Sequence, residues 1–185
     1  LDSVKRTYNV DENRVVLSGV SDGGTAAFYV AMRETTAYAS FLPLNGHLLV
    51  LANRDLGLQG ALFPHNLMNK PFFVVNGGKD RLYPAAGVEP LMTNFKTRGL
   101  ELVYKPQPDA GHNTAWWPEL KETFEGFVRE HPRTPHPARV TWQTDSTTAR
   151  NRAHWLVINR LGNARPGEDL PDLNNLESGE EELEG

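Results

Sequence analysis

One stretch constrains the fold more than any other: Arg14-Val-Val-Leu-Ser-Gly-Val-Ser-Asp-Gly-Gly-Thr-Ala-Ala-Phe28. The apolar run Val15-Val16-Leu17, with two β-branched valines, predicts a strand over about 14–20, and the alanine-rich segment after Asp22 predicts a helix over about 22–33. Between them lies Gly19-Val20-Ser21-Asp22-Gly23, a Gly-x-Ser-x-Gly sequence. In a strand–turn–helix context, this pattern lifts a serine hydroxyl clear of the sheet on a sharp, strained turn. Glycine at 19 and at 23 is expected because a side chain there would collide with the neighbouring strand or helix backbone. The Asp22 backbone N–H, at the helix start, is placed to stabilise an oxyanion.

Two further residues complete a chemical set. Pro71-Phe-Phe-Val-Val-Asn-Gly-Gly-Lys-Asp80 is an apolar strand that ends in a Gly-Gly turn and a carboxylate. Leu100-Glu-Leu-Val-Tyr-Lys105 is another strand, followed by a loop that reaches His112. Ser21, Asp80 and His112 thus occur in the order Ser, Asp, His, each just after a strand. Asp109 is nearer to His112 in sequence, but two neighbours within one short loop rarely meet in an orienting geometry, so it reads as a turn or solvated residue. His47, which closes a second strand at Phe41-Leu-Pro-Leu44, falls near the same rim as a loop residue. Glu89 and Asp55 read as surface positions.

Through Val-Leu-Ser-Gly-Val-Ser-Asp-Gly-Gly (16–24), Asn-Gly-Gly-Lys-Asp-Arg-Leu-Tyr-Pro (76–84) and Ala-Gly-His (110–112), residues 1–130 resemble the C-terminal half of an α/β-hydrolase. The resemblance is to the esterase, phospholipase and polyester-depolymerase type. It implies a serine hydrolase that cleaves carboxylic esters through an acyl-enzyme. Ser21 is then the nucleophile, His112 the base and Asp80 the group that orients the imidazole. A prolyl-oligopeptidase-like peptidase is the enzymatic alternative. A non-catalytic hydrolase remnant serving as a binding or assembly module is the alternative from another class. The family sheet carries roughly four strands ahead of the nucleophile strand, and an earlier loop supplies the second oxyanion N–H. Here the nucleophile strand is expected to be an exposed apolar edge. The expected partner is an upstream half, separate or lost, or a second copy of the chain as a homo-oligomer.

Alternating strands and helices predict a parallel sheet. Helices are expected over 85–98, burying Leu91, Met92 and Phe95, and from Trp117 onward, with Leu120, Phe124, Phe127 and Val128 at helical spacing. Residues 1–132 therefore form the hydrolase-like half. Residues 133–162 form a β-hairpin extension, its strands expected at 138–144 and 153–159. Residues 163–185, rich in Gly, Pro, Asp and Glu, form a disordered acidic tail. The fold class is α/β: a partial parallel sheet of about four strands with flanking helices, the hairpin and the tail.

Composition narrows the function. The net charge of −4, with no basic stripe interleaved with aromatics, argues against a nucleic-acid surface. No apolar run approaches a membrane span. Cysteine is absent, which excludes disulfides and thiolate metal sites without choosing a compartment. The six histidines, at 47, 65, 112, 131, 136 and 154, show no ligand spacing, and Gly77-Gly78-Lys79 lacks the flanking residues of a phosphate-binding loop. No metal and no cofactor is expected.

Overall fold

A computed structural model describes residues 1–53, 55 and 62–162. The expected acidic tail lies outside the described residues. A short helix α1 (Asp2–Thr7) precedes strand β1 (Leu17–Val20). Then follow α2 (Asp22–Ala31), β2 (Phe41–Leu44), β3 (Phe72–Gly77), α3 (Ala85–Thr97), β4 (Leu102–Gln107) and α4 (Trp117–Glu130). The four strands form one parallel sheet in the order β1-β2-β3-β4.

The sheet is covered on both faces, which explains why its inner strands read as continuous apolar runs. Side chains of β3 alternate between two cores. Phe72 and Val74 join Phe28, Phe41, Val88, Met92 and Phe95 on the α2 and α3 side. Phe73 and Val75 join Leu42, Leu44, Trp116 and Phe127 on the α4 side. As expected, Leu91, Met92 and Phe95 are buried, whereas of the α4 set only Phe127 is fully so. Leu120, Phe124 and Val128 pack against the second core while half-buried.

Pro43 sits inside β2 although proline cannot donate to a ladder. The N–H groups of Phe41 and Asn45 donate to Pro71 and Val75, so residue 43 faces β3 as well. The β2–β3 register keeps Phe41↔Phe72 and Leu44↔Val75 on either side of the missing rung.

The strand at the motif is shorter than expected, Leu17–Val20 rather than 14–20. Val15 still accepts a hydrogen bond from the Ala39 N–H, but Val16 and Leu17 are half-buried against the two cores. The apolar side chain exposed on this strand is Val20, at 43%.

The C-terminal hairpin is present but is built elsewhere than its composition suggested. It consists of β5 (Arg152–Ala153) and β6 (Leu156–Val157), an antiparallel pair separate from the main sheet. Residues 138–144 are not a strand, because two asparagine side chains stand in for a ladder. Asn66 exchanges hydrogen bonds with the Gln143 backbone at 2.9 and 2.7 Å. Asn69 does the same with Thr141 at 2.6 and 2.9 Å. An amide side chain offers the same donor and acceptor as a peptide group, so it satisfies an extended segment equally well. No described helix is long and apolar enough to cross a membrane.

Candidate active site

The three sequence-selected side chains meet at the C-terminal ends of the strands. Ser21 follows β1 and begins α2, Asp80 lies on the loop after β3, and His112 lies on the loop after β4. His112 Nε2 is 2.8 Å from Ser21 Oγ, and His112 Nδ1 is 2.7 Å from Asp80 Oδ2.

The turn that carries Ser21 is strained. Its backbone stands at φ 58° and ψ −121°, a conformation that L-residues other than glycine rarely adopt. The Ser21 N–H donates to Leu44 O at 2.9 Å and the Ser21 carbonyl accepts from the Thr25 N–H at 3.0 Å, which pins the turn between β2 and α2. The Asp22 N–H belongs to the first turn of α2, whose donors have no partner within the helix. Glycine at 19 is required: a Cβ there would come within 2.5 Å of the Gly23 backbone.

Gly23 departs from the expectation. A Cβ at position 23 would meet open space, and the close approach belongs to Gly24, whose Cβ would come within 2.6 Å of Leu44 O. The helix turns its next residue toward β2, so bulk is forbidden one position later than the motif suggested.

Asp80 is buried, at 3% exposure, yet it is held as the carboxylate. Burial pushes its pKa up. Against that, Oδ1 accepts the N–H groups of Tyr83 and Leu82 at 3.0 and 2.8 Å, and Oδ2 bonds to His112. The balance leaves the carboxyl below its ordinary value. An ionised carboxylate only accepts, so Nδ1 of His112 carries the proton and donates it. Nε2 then offers its lone pair to the Ser21 hydroxyl.

This depression has a consequence for stability. The folded-state pKa lies below the unfolded one, so the carboxylate stabilises the fold above the ordinary carboxylate range, about 4, and loses that contribution as pH falls through the folded value. Asp80→Asn should therefore melt below the wild type near neutrality, and the gap should narrow in acid. Thermal melts of both proteins between pH 7 and about 3 measure it; a gap that does not change with pH would contradict the assignment.

Sequence reasoning missed the supports of these loops. Asn45 adopts φ 49° and sends its Nδ2 to Asn113 O at 2.8 Å, tying the His112 loop to the end of β2. Asn76 is fully buried and donates to Gly46 O at 3.1 Å and Tyr83 O at 3.3 Å, which joins the loops after β2 and β3. The Tyr83 ring stands edge-on to both His112 and His47, at 5.8 and 5.9 Å between centroids. The available signal was Asn-Gly directly after β2 at 45–46 and at the end of β3 at 76–77, a pattern that reads as an ordinary turn. His47 itself caps a 3-10 turn (Leu48–Ala52), its Nδ1 accepting the Leu49 N–H. Asp109 is exposed and paired with Lys79 at 2.6 Å, away from the imidazole.

No protein-family model and no curated protein matches the chain in sequence. Solved structures do. Esterase PE8 is 18% identical, with 71% of this chain and 56% of that one covered, at a TM-score of 0.51. FphF, a fluorophosphonate-binding serine hydrolase of Staphylococcus aureus, is 14% identical, with 69% and 59% covered, at 0.53. The acylaminoacyl peptidase of Pyrococcus horikoshii is 15% identical, with 76% and 27% covered, at 0.53. The chain thus spans little more than half of the first two proteins and about a quarter of the third. At these identities the likeness is one of fold.

Proposed function

The chain has the α/β-hydrolase fold, and from that premise we propose that it is a serine hydrolase cleaving carboxylic esters through an acyl-enzyme. The observation that carries this reading is the continuous hydrogen-bonded relay from Ser21 Oγ through His112 to Asp80, at 2.8 and 2.7 Å. A serine hydroxyl is a weak nucleophile until a base takes its proton. His112 Nε2 accepts that proton as Oγ bonds to the ester carbon. The carbonyl oxygen becomes an oxyanion beside the Asp22 N–H, where the N-terminal end of α2 favours negative charge.

The imidazolium formed on His112 is stabilised by the buried Asp80 carboxylate, which does not itself take the proton. As the C–O bond breaks, His112 returns the proton to the departing alkoxide. Water repeats the sequence on the acyl-Ser21: His112 takes its proton, the acid is released and Ser21 recovers its hydrogen. An ester is proposed over an amide because an alkoxide needs less protonation to leave than an amine. A fluorophosphonate probe with p-nitrophenyl esters as substrates tests the reading. Covalent label on Ser21 with ester turnover supports it; an unlabelled Ser21 in folded protein would favour the binding-module alternative.

A further inference from the structure

At the opposite end of the sheet, a cavity of about 480 Å³ opens beneath the N-terminal ends of the strands, where Ala39, Pro71 and Glu101 line it. It lies one strand length from Ser21, roughly 20 Å at about 3.3 Å per residue. The catalytic reading makes no use of it.

Its chemistry is unusual for a structural gap. Lys70 lines it and is buried, at 5% exposure, yet its Nζ makes no hydrogen bond or ion pair with any described residue. The stem of Lys70 is covered while its ammonium keeps access to the cavity, and a charge so poorly hydrated normally finds a carboxylate. Burial, with the Arg133 guanidinium nearby and only partly offset by Glu34, lowers the Lys70 pKa to about 8. Arg133 itself lies outside the cavity lining, its Nη1 donating to Thr36 O at 3.4 Å.

His154 completes the set. It sits at the turn between β5 and β6 with φ 51°, a strained conformation, and lines the cavity. Its Nδ1 lies 3.2 Å from Pro135 O, an acceptor, so Nδ1 carries the hydrogen. Nε2 then holds a lone pair, buried and without a partner. Two carboxylates also line the cavity: Glu101, whose Oε1 is engaged by His131 at 3.0 Å, and Glu130, exposed at the rim. Neither bonds to Lys70. Pro71, Pro132 and Pro137 supply an apolar wall.

We propose that this cavity binds a small organic anion, a carboxylate or phosphate monoester, with its charged head on Lys70 and its apolar body against the proline wall. The volume suits such a molecule, since small-ligand sites span about 300–1,000 Å³.

Calorimetric titration of the whole chain with benzoate, phenyl phosphate and inorganic phosphate tests this. Saturable binding of benzoate or phenyl phosphate is expected, and phenyl phosphate should bind more tightly than inorganic phosphate if the head is a phosphate. Lys70→Met should weaken binding by about tenfold or more, as loss of a charge-assisted contact does. Without ligand it should melt higher than the wild type, because the uncompensated charge is gone, and its Ser21 should label as before. Should that variant fail to fold, Lys70→Gln carries the same expectation for binding. No saturation by any of the three probes, unchanged binding in the folded variants, or inorganic phosphate binding as tightly as phenyl phosphate would overturn the proposal.

Discussion

Ser21→Ala and His112→Ala are each expected to lower ester turnover by about 10⁴- to 10⁶-fold, and the double variant to be scarcely worse than either. The reason is the shared relay. With no base, the Ser21 hydroxyl keeps its proton, and with no hydroxyl, the His112 lone pair has nothing to activate, so the second loss removes little that the first left standing. Asp80→Asn acts differently. The amide would turn a donor toward Nδ1, and His112 would then hold its hydrogen on Nε2 and donate toward Ser21, the wrong tautomer for a base. Its loss should be large, about 10⁴-fold, with the geometry intact. Ser21→Gly separates activity from stability. Glycine removes the side chain but accepts φ 58° without cost, so this variant should be inactive and yet melt above the wild type, by the release of about 1–3 kcal/mol of strain. Steady-state kinetics with calorimetric melts read both quantities. Multiplicative losses in the double variant would show that Ser21 and His112 do not act together.

The relay and the sheet were legible because each depends on local pattern. Apolar runs that lead into glycine-containing turns marked β1, β2 and β3, and the order Ser, Asp, His, each just after a strand, placed Ser21, Asp80 and His112 at one end of a parallel sheet. The features that escaped depend on contacts between residues far apart. Asn66 and Asn69 reach Gln143 and Thr141 across 77 and 72 positions, and nothing in the alternation of residues 138–144 distinguishes a segment held by side-chain amides from one held by a neighbouring strand. The exchange of roles between Gly23 and Gly24 has a similar origin. Both lie on the first turn of α2, and which of them meets Leu44 depends on how the helix is rotated against β2. Lys70 shows the limit most clearly. A lysine ahead of a strand reads as solvated, but here it is buried beside a cavity lined also by residues far along the chain, from His131 to Ala138 and at His154.

In solution at micromolar concentration, the 185-residue chain by itself is expected to associate along β1 rather than remain a single copy. Leu17 and Ser21 donate toward β2, so the alternate residues Ser18 and Val20 direct their backbone N–H and C=O groups away from it. Among the described residues, β1 pairs only with β2. An edge of unpaired peptide groups beside an exposed Val20 is a template for another strand, and the four residues of β1 contain neither proline nor charge to deter pairing. The segment just before it adds apolar surface: Leu1, Val4 and Tyr8 share one side of α1 and are half or more exposed. Pairing there would bring a second chain close to the Ser21 turn, because Val20 is the residue immediately before it. A partner strand would then be placed to lend an oxyanion donor to complement the Asp22 N–H, so association and turnover should rise together with protein concentration. Val20→Lys should shift light scattering toward one copy, and turnover per chain should fall with it, although Ser21, His112 and Asp80 are untouched. A single species at the mass of one chain in the unaltered protein, with turnover per chain independent of concentration, would show that β1 is a stable free edge.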